Sequence, residues 1–209
     1  MSNVQSIERH PLKPCIDAQT QVLFLGSFPP PRKRWAKGFE FFYPNFTNDH
    51  WRLMGLIFYG DKDYLVDTEA KTYRMDRIKR LVSEQHLGYY DTSEAVRRLK
   101  DNASDKFLEV VEQTDIRALI SRAPQLRAIA VTGQKAADTL CEQLGIAEPP
   151  RMGEYIIIEN RKQSEAATFE LSNSRTLKLW RLPSSSRAYP MALTQKAEYY
   201  RKVFEELKD

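Results

Sequence analysis

Short apolar runs alternate with longer amphipathic stretches along this chain. Four runs are predicted to be β-strands, and each ends in polar, Gly or Pro residues: Gln21–Gly26, Leu87–Tyr90, Arg127–Thr132 and Leu177–Leu182. Continuous apolar runs of this length are typical of parallel strands that are buried on both faces. The apolar segment Glu154–Glu159 is open to interpretation as a further edge or hairpin strand.

Apolar residues three and four positions apart predict five helices between and after these strands. Their predicted ranges are Asn48–Tyr59, Arg74–Val82, Thr114–Ser121, Gln134–Leu144 and Ala192–Leu207. Strands that alternate with helices imply right-handed βα units. The predicted fold class is therefore α/β, a three-layer α/β/α sandwich with a central, mainly parallel four-stranded sheet. We expect one domain over residues 1–209, with residues 1–20 as an N-terminal extension.

Charge is distributed unevenly along the 209 residues, whose formal net charge is +4. Residues 1–100 hold 16 Lys and Arg against 12 Asp and Glu, whereas residues 101–209 hold 16 of each. The densest basic cluster is Arg32-Lys33-Arg34-Trp35-Ala36-Lys37. Clustered cations beside a ring suit a nucleic-acid backbone, and a solvated loop with ordinary surface charges is the alternative.

Several sequence features limit where the protein is expected to be located and which cofactors it is expected to use. No apolar stretch is long enough for a membrane helix, and the N-terminus has no signal-peptide core. The two cysteines, Cys15 and Cys141, lie far apart, and the three histidines are scattered. We therefore expect a cytoplasmic protein without a metal site. No Walker or GxGxxG motif follows a strand, so the sequence does not support a nucleoside triphosphate or dinucleotide.

Ligands bind at the carboxyl ends of parallel strands, which here selects four loops. They are Ser27–Thr47, Asp91–Asp105, Gly133-Gln134 and Pro183–Pro190. The segment between Phe41 and Trp51 interleaves aromatic rings with amides and a carboxylate. A pocket that stacks on a flat ring and attacks it needs both, although aromatic residues also pack cores.

Polar groups in these loops have structural and functional interpretations. Asp91-Thr92-Ser93-Glu94 is either a capping box or a source of a water-ordering carboxylate, and Asn102 and Ser104 are similarly ambiguous. Asn48 (or Thr47) is either a helix N-cap or, with Asp49, a group that positions water beside the rings. The three serines between Pro183 and Pro190 are either a serine-capped turn or ligands of phosphate oxygens.

Taken together, these segments resemble the uracil-DNA glycosylase superfamily, closest to its hypoxanthine-DNA glycosylase-like branch and mismatch-specific relatives. The resemblance spans about Gln21 to Leu207. It rests on Leu23-Phe24-Leu25-Gly26-Ser27-Phe28-Pro29, the aromatic-Pro element that ends in Asn48-x-x-Trp51, Gly88-Tyr89-Tyr90-Asp91, Ser104-Asp105, Thr132-Gly133-Gln134-Lys135-Ala136, and Leu182-Pro183-Ser184-Ser185-Ser186.

This resemblance implies a monomeric DNA repair enzyme of base excision repair that needs no cofactor. Such a monofunctional DNA glycosylase, a hydrolase, flips a deaminated base, uracil or hypoxanthine, and hydrolyses its N-glycosidic bond. By position, Asn48 would hold the attacking water, and Phe42 or Tyr43 would stack on the base. The Ser184–Ser186 loop would bind DNA phosphates, with Arg187 or Tyr189 filling the gap in the duplex.

Two positions depart from the pattern of the superfamily. The Gly26–Pro29 turn carries no acidic residue, which makes Asp49 or Asp91 the candidate to activate water. Thr132 occupies the position of a base-reading asparagine. The implied residues are Asn48, Asp49 and Asp91 for catalysis; Phe28, Phe42, Tyr43 and Thr132 for base binding; and Ser27, Arg32, Lys33, Arg34, Ser184, Ser185, Ser186, Arg187 and Tyr189 for DNA binding.

Two other functions remain compatible with the sequence. The first is a non-catalytic protein of the same fold that binds damaged or single-stranded nucleic acid. The second is an enzyme that acts on a small nucleoside or nucleotide. Salt-dependent DNA binding would separate the second from both nucleic-acid functions, and base excision would separate those two.

Overall fold

The computed structural model describes residues 6–99, 105–158 and 176–208. Strands and helices alternate through most of this part of the chain, with two short 3-10 helices at Arg32–Arg34 and Asp105–Phe107. The elements in chain order are β1 (Ile7–Arg9), β2 (Val22–Gly26), α1 (His50–Tyr59), β3 (Val66–Asp67), β4 (Thr72–Tyr73), α2 (Met75–Glu84), β5 (Leu87–Asp91), β6 (Ser93–Arg98), β7 (Leu108–Gln113), α3 (Ile116–Ser121), β8 (Ala128–Thr132), α4 (Gln134–Leu144), β9 (Tyr155–Ile158), β10 (Leu177–Leu182) and α5 (Leu193–Glu205).

The main sheet has the strand order β5-β2-β8-β10-β9, in which the first four strands are parallel. These four are the predicted strands, so the mainly parallel α/β fold is confirmed. The sheet has five strands rather than four, because Tyr155–Ile158 pairs antiparallel with β10 at the edge. The five predicted helices are also present. The arrangement of the helices in two layers and the single-domain organisation stay predictions.

A second sheet, antiparallel and of order β1-β6-β7, was not expected from the sequence. The capping box at Asp91 is wrong, because Ser93–Arg98 continues as a strand that pairs with β1 and β7. The Glu94 carboxylate accepts hydrogen bonds from the Tyr90 hydroxyl at 2.8 and 2.9 Å. Long-range strand pairing therefore overrides a local helix-start signal.

The core lies on the parallel strands, whose apolar residues are almost completely buried. Phe24 of β2 stacks between Tyr89 of β5 and Tyr200 of α5, with ring centroids 5.5 and 6.2 Å away. Helices α1 and α5 contact each other beside this aromatic cluster. The packing fixes the strand ends, and with them the loops that follow.

Among the described residues, no helix combines the length and hydrophobicity that a bilayer crossing requires. The same residues contain no group of three or more His, Cys, Asp or Glu side chains that is arranged to hold a metal ion. The stretch 162–174 is polar, which predicts a surface loop, and it lies outside the described residues.

Candidate functional site

A cavity of about 610 Å³ opens at the carboxyl ends of the four parallel strands. Three of these strands end in residues that line it: Gly26, Asp91 and Thr132. Its wall also contains most of the residues selected from the sequence: Ser27, Phe28, Arg34, Phe42, Tyr43, Asn48, Ser184, Ser185, Ser186, Arg187 and Tyr189. Segments far apart in the chain meet here because parallel strands place their carboxyl ends on one edge of the sheet.

One side of the cavity is aromatic. The Tyr43 ring stacks on His50 with a centroid distance of 3.8 Å and an interplanar angle of 10°, and its hydroxyl lies 3.0 Å from Thr132 Oγ1. Tyr43 adopts a left-handed backbone with a φ of 53°. Such strain in a non-glycine residue persists where surrounding contacts hold it, often at functional sites. Phe42 is buried beside it, 5.9 Å from the Tyr89 ring.

His50 is a fully buried titratable group on this aromatic side. Its Nε2 lies 3.2 Å from the Tyr89 hydroxyl, and Nδ1 has no hydrogen-bond partner among the described residues. Burial lowers the pKa of His50 well below its ordinary value. Burial also raises the pKa of Tyr43, which the hydrogen bond from Thr132 partly opposes. This side of the cavity is therefore uncharged at neutral pH.

Asn48 lies at the rim of the aromatic side, just before α1. Its Oδ1 accepts a hydrogen bond from the His50 backbone N–H at 2.8 Å, although the N-cap of α1 is Asp49. The backbone of Asn48 forms an antiparallel bridge with Ser186, and the Asp49 N–H donates to the Ser185 carbonyl at 2.9 Å. The predicted water-positioning segment and the serine loop, Ser184–Ser186, are thus joined directly.

Asp49 does not line the cavity but holds the serine loop in place. Its carboxylate accepts from Arg187 Nε at 2.8 Å, and Lys196 Nζ lies 3.9 Å away. Lys196, on α5, is only 1% exposed and donates to the Ser186 carbonyl at 2.7 Å. Burial lowers the pKa of Lys196, and Asp49 opposes that shift. The amphipathic pattern gave no signal for this buried lysine.

The other side of the cavity is acidic. Asp91 Oδ2 accepts from His10 Nε2 at 2.9 Å, and the His10 ring packs against Phe28 and Tyr90. A Cβ at Gly26 would lie 2.3 Å from Asp91 Oδ1, so only glycine permits this approach. Sequence reasoning missed His10, because nothing in the N-terminal extension signals that strand pairing of β1 brings it here.

A second carboxyl group, Asp105, reaches the acidic side from the β6–β7 hairpin. Burial raises the pKa of Asp105; a hydrogen bond from Ser27 opposes this, and the negative charge of Asp91 adds to it. Lys106, the next residue, also lines the cavity. The related candidates Asn102 and Ser104 lie outside the described residues.

The basic cluster meets the cavity at one point only. Arg34 lines it, whereas Arg32 and Lys33 lie outside the wall on an exposed 3-10 helix. The Arg32 guanidinium lies 3.9 Å from the Trp35 ring centroid and pairs with Glu40. Binding of a nucleic-acid backbone by Arg32, Lys33 and Arg34 stays a prediction, as does the alternative of a solvated loop.

The serine loop follows β10 and covers another part of the wall. The alternative of a serine-capped helix start is wrong, because α5 has Ala192 as its N-cap. Ser184 and Ser186 instead use their hydroxyls to accept from backbone N–H groups two residues later, at 3.3 and 3.2 Å. The Tyr189 hydroxyl donates to Met152 Sδ at 3.3 Å.

No protein-family model matches this chain, and no curated protein is significantly similar to it. Among solved structures, the chain is similar to the solution NMR structure of a protein from Methanosarcina acetivorans that is provisionally named a uracil DNA glycosylase. The match covers 98% of this chain and 100% of the other, with a TM-score of 0.59 and 21% sequence identity. It shows that the chain has a uracil-DNA-glycosylase-like fold. The hypoxanthine and mismatch-specific branch stays a prediction.

Proposed function

We propose that this protein is a monofunctional DNA glycosylase that removes a deaminated base, uracil or hypoxanthine, in base excision repair. The observation that carries the proposal is one cavity in which stacked aromatic rings, the Asn48 amide and a serine loop converge. The full-length likeness to a uracil-DNA-glycosylase-like fold supports it. Enzymes that act on a base in DNA extrude it into such a pocket.

The aromatic side provides the surface for the flipped base. Stacking on Phe42 or Tyr43 replaces the contacts that the base loses when it leaves the duplex. The hydroxyls of Tyr43 and Thr132 stand together at the end of β8. Each hydroxyl can donate or accept, so the pair can adapt to the N–H and carbonyl groups of either uracil or hypoxanthine.

The serine loop and the basic residues at the rim provide the contacts to DNA. The hydroxyl groups of Ser184 and Ser186 can each donate a hydrogen bond to a phosphate oxygen, and Arg34 and Lys106 add positive charge. Contacts of this kind fix the position of the DNA without reading its sequence. Arg187 and Tyr189, at the end of the loop, are the residues we assign to the gap that the flipped nucleotide leaves.

The chemical step uses a water molecule held by Asn48. As the base departs, the sugar becomes oxocarbenium-like, and the negative charge of Asp91 and of the DNA phosphates stabilises it. No cofactor or metal is required for hydrolysis by this route. Asp49 acts at a distance from the reaction, through the ion pair that holds Arg187.

Incubation with oligonucleotides that carry uracil, hypoxanthine, xanthine or a mismatch tests the proposal, with abasic sites as the readout. We expect product from wild type, and at least about a 100-fold loss in Asn48→Ala with DNA affinity retained. Asn45→Ala provides a matched amide control at the same rim, because we assign Asn45 no role in the reaction. The proposal fails if wild type forms abasic sites from none of these substrates.

A non-catalytic nucleic-acid-binding protein of the same fold is the second candidate. The observation that favours it is the Asn48 side chain, whose oxygen already accepts from the His50 N–H. Tight, salt-dependent binding of damaged or single-stranded DNA without excision would establish this function. Absence of both excision and salt-dependent binding would favour a small-molecule enzyme.

A further inference from the structure

We propose that Asp105 is the general base that accepts the proton of the attacking water. The inference rests on the proposed glycosylase function. It places the water-activating carboxylate between β6 and β7. The aromatic stretch and the serine loop follow two other strands, β2 and β10. Three observations support it: the packing of the β6–β7 hairpin, the surroundings of the Asp105 carboxyl group, and the hydrogen bonds and ion pairs of the other acidic residues.

The β6–β7 hairpin is fixed against the turn that follows β2. Phe28 of this turn forms a small apolar cluster with Val96 and Leu108, one from each strand of the hairpin. Arg98 donates to the Pro29 carbonyl at 3.0 Å and pairs with Glu8 of β1. These contacts hold both strands of the hairpin in place. Asp105, just before β7, lies in the cavity wall.

The Asp105 side chain occupies a defined place in the cavity wall. Its carboxylate accepts a hydrogen bond from Ser27, and Oδ2 lies 3.9 Å from the position of a Cβ at Gly133. It therefore stands between the carboxyl ends of β2 and β8, beside the turn that lacks an acidic residue of its own. It shares the cavity with Asn48, which we assign to hold the water.

The other acidic residues of the site are engaged elsewhere. Asp49 lies outside the cavity wall and pairs with Arg187 and Lys196. Asp91 lines the cavity, but one of its oxygens is bound to His10 and the other rests against Gly26. These contacts fix both oxygens of Asp91, whereas Asp105 reaches the cavity with a carboxyl group that accepts a hydrogen bond from Ser27.

The surroundings of Asp105 make it a better base than an ordinary aspartate. Burial raises its pKa; the hydrogen bond from Ser27 opposes this rise, Asp91 adds to it, and Arg98 and Lys135 oppose it. A carboxylate with a raised pKa has a higher affinity for a proton. General bases act best when their pKa approaches the working pH.

The step balances without any further reactant. The water oxygen forms a bond with C1′ of the deoxyribose, and one of its protons passes to the Asp105 carboxylate. The C1′–N bond breaks, and its electron pair leaves with the base. The departing base anion takes a proton from solvent, and Asp105 returns its proton to solvent before the next turnover.

Single-turnover excision by Asp105→Asn, Asp105→Glu and wild type tests the assignment. We expect Asp105→Asn to lower the rate by about 100-fold or more, the usual contribution of a general base. The rate of wild type should rise with pH through the pKa of Asp105, because only the carboxylate accepts a proton. Asp105→Asn should lose this rise, and Asp105→Glu should retain it with partial activity.

Stability and binding separate a catalytic role from a structural one. A raised pKa means that the folded state favours the protonated carboxyl group, so its ionisation destabilises the protein as pH rises through the folded-state pKa. Asp105→Asn should therefore keep or raise the melting temperature at pH 7, with unchanged affinity for DNA that contains an abasic site. Asp138→Asn, an exposed substitution on α4, provides the matched control.

The outcomes distinguish this inference from the proposed function. If wild type excises a base and Asp105→Asn matches its rate, or keeps the rising pH limb, Asp105 is not the base and the glycosylase function stands. If wild type excises no base, both fall. A lower melting temperature together with weakened abasic-DNA binding in Asp105→Asn would assign Asp105 to the structure instead.

Discussion

The two sides of the cavity differ in charge and in origin. On the aromatic side, Tyr43 and His50 lie seven residues apart in one segment, are stacked on each other and remain uncharged. On the acidic side, His10, Asp91 and Asp105 come from three separated segments, and two of the three side chains are carboxyl groups. One side is built locally, whereas the other exists only when the second sheet has formed.

This difference assigns separate tasks to the two sides. Flat, uncharged rings suit the binding of a neutral base, which a buried charge would oppose through its desolvation cost. Carboxylates suit the stabilisation of positive charge on the sugar and the removal of a proton from water. Under the proposed function, the rings would hold the base while the carboxylates act on the sugar and the water.

The largest effect on the aromatic side is expected from Tyr43→Ala. Loss of a stacked ring removes about 1–3 kcal/mol of base binding, so excision should fall by about 5- to 150-fold. Tyr43→Phe keeps the ring and loses only the hydroxyl beside Thr132, and should change the preference between uracil and hypoxanthine more than the rate. Excision kinetics on both substrates measure this. Wild-type kinetics in Tyr43→Ala would show that this ring does not hold the base.

Lys196 on α5 holds the serine loop through a hydrogen bond to the Ser186 carbonyl. Lys196→Met removes the bond to the Ser186 carbonyl and should lower the free energy of unfolding by about 1.5–3 kcal/mol, as for other hydrogen bonds to charged groups. Urea denaturation measures this change. Lys202→Met, exposed on the same helix, is the control and should have little effect. Equal stabilities of the two variants would contradict a role for Lys196 in holding the loop.

The smallest effect is expected from the charge state of His50. Burial lowers the pKa of His50 in the folded state, so the unfolded chain binds a proton more readily. The free energy of unfolding is therefore unaffected by His50 above the unfolded-state pKa of about 6.5 and decreases as pH falls below it. One proton changes stability by at most about 1.4 kcal/mol per pH unit. Melting temperatures between pH 8 and 5 should fall less in His50→Gln than in wild type. Parallel curves would mean that His50 becomes charged inside the fold.

The strand ends show how far local pattern reaches. The four parallel strands and five helices follow from apolar periodicity, because burial on both faces of a strand or on one face of a helix leaves a mark in the sequence. The strand β6 left no such mark. The spacing of Asp91 and Glu94 suits a helix start, and only pairing with β1 and β7 makes Ser93–Arg98 a strand.

The candidate site residues also divide into those that local pattern predicts and those whose contacts depend on distant segments. Asn48 and the serine loop line the cavity because each lies next to a predictable element, and Tyr43 lies in the loop between β2 and α1, which the strand-end rule selects. Asp49 was expected beside the reaction, yet it pairs with Arg187, 138 residues further along the chain. No spacing rule connects two side chains so far apart.

The sequence by itself determined the parallel sheet, the helices and the sheet edge at which the cavity lies, since these depend on the periodicity of apolar residues. The tertiary structure alone decided which polar side chains meet at that edge. His10 reaches Asp91, Lys196 reaches Ser186, and Asp105 reaches Ser27 through packing between distant segments. Such pairings depend on contacts formed in three dimensions, and a linear pattern does not encode them.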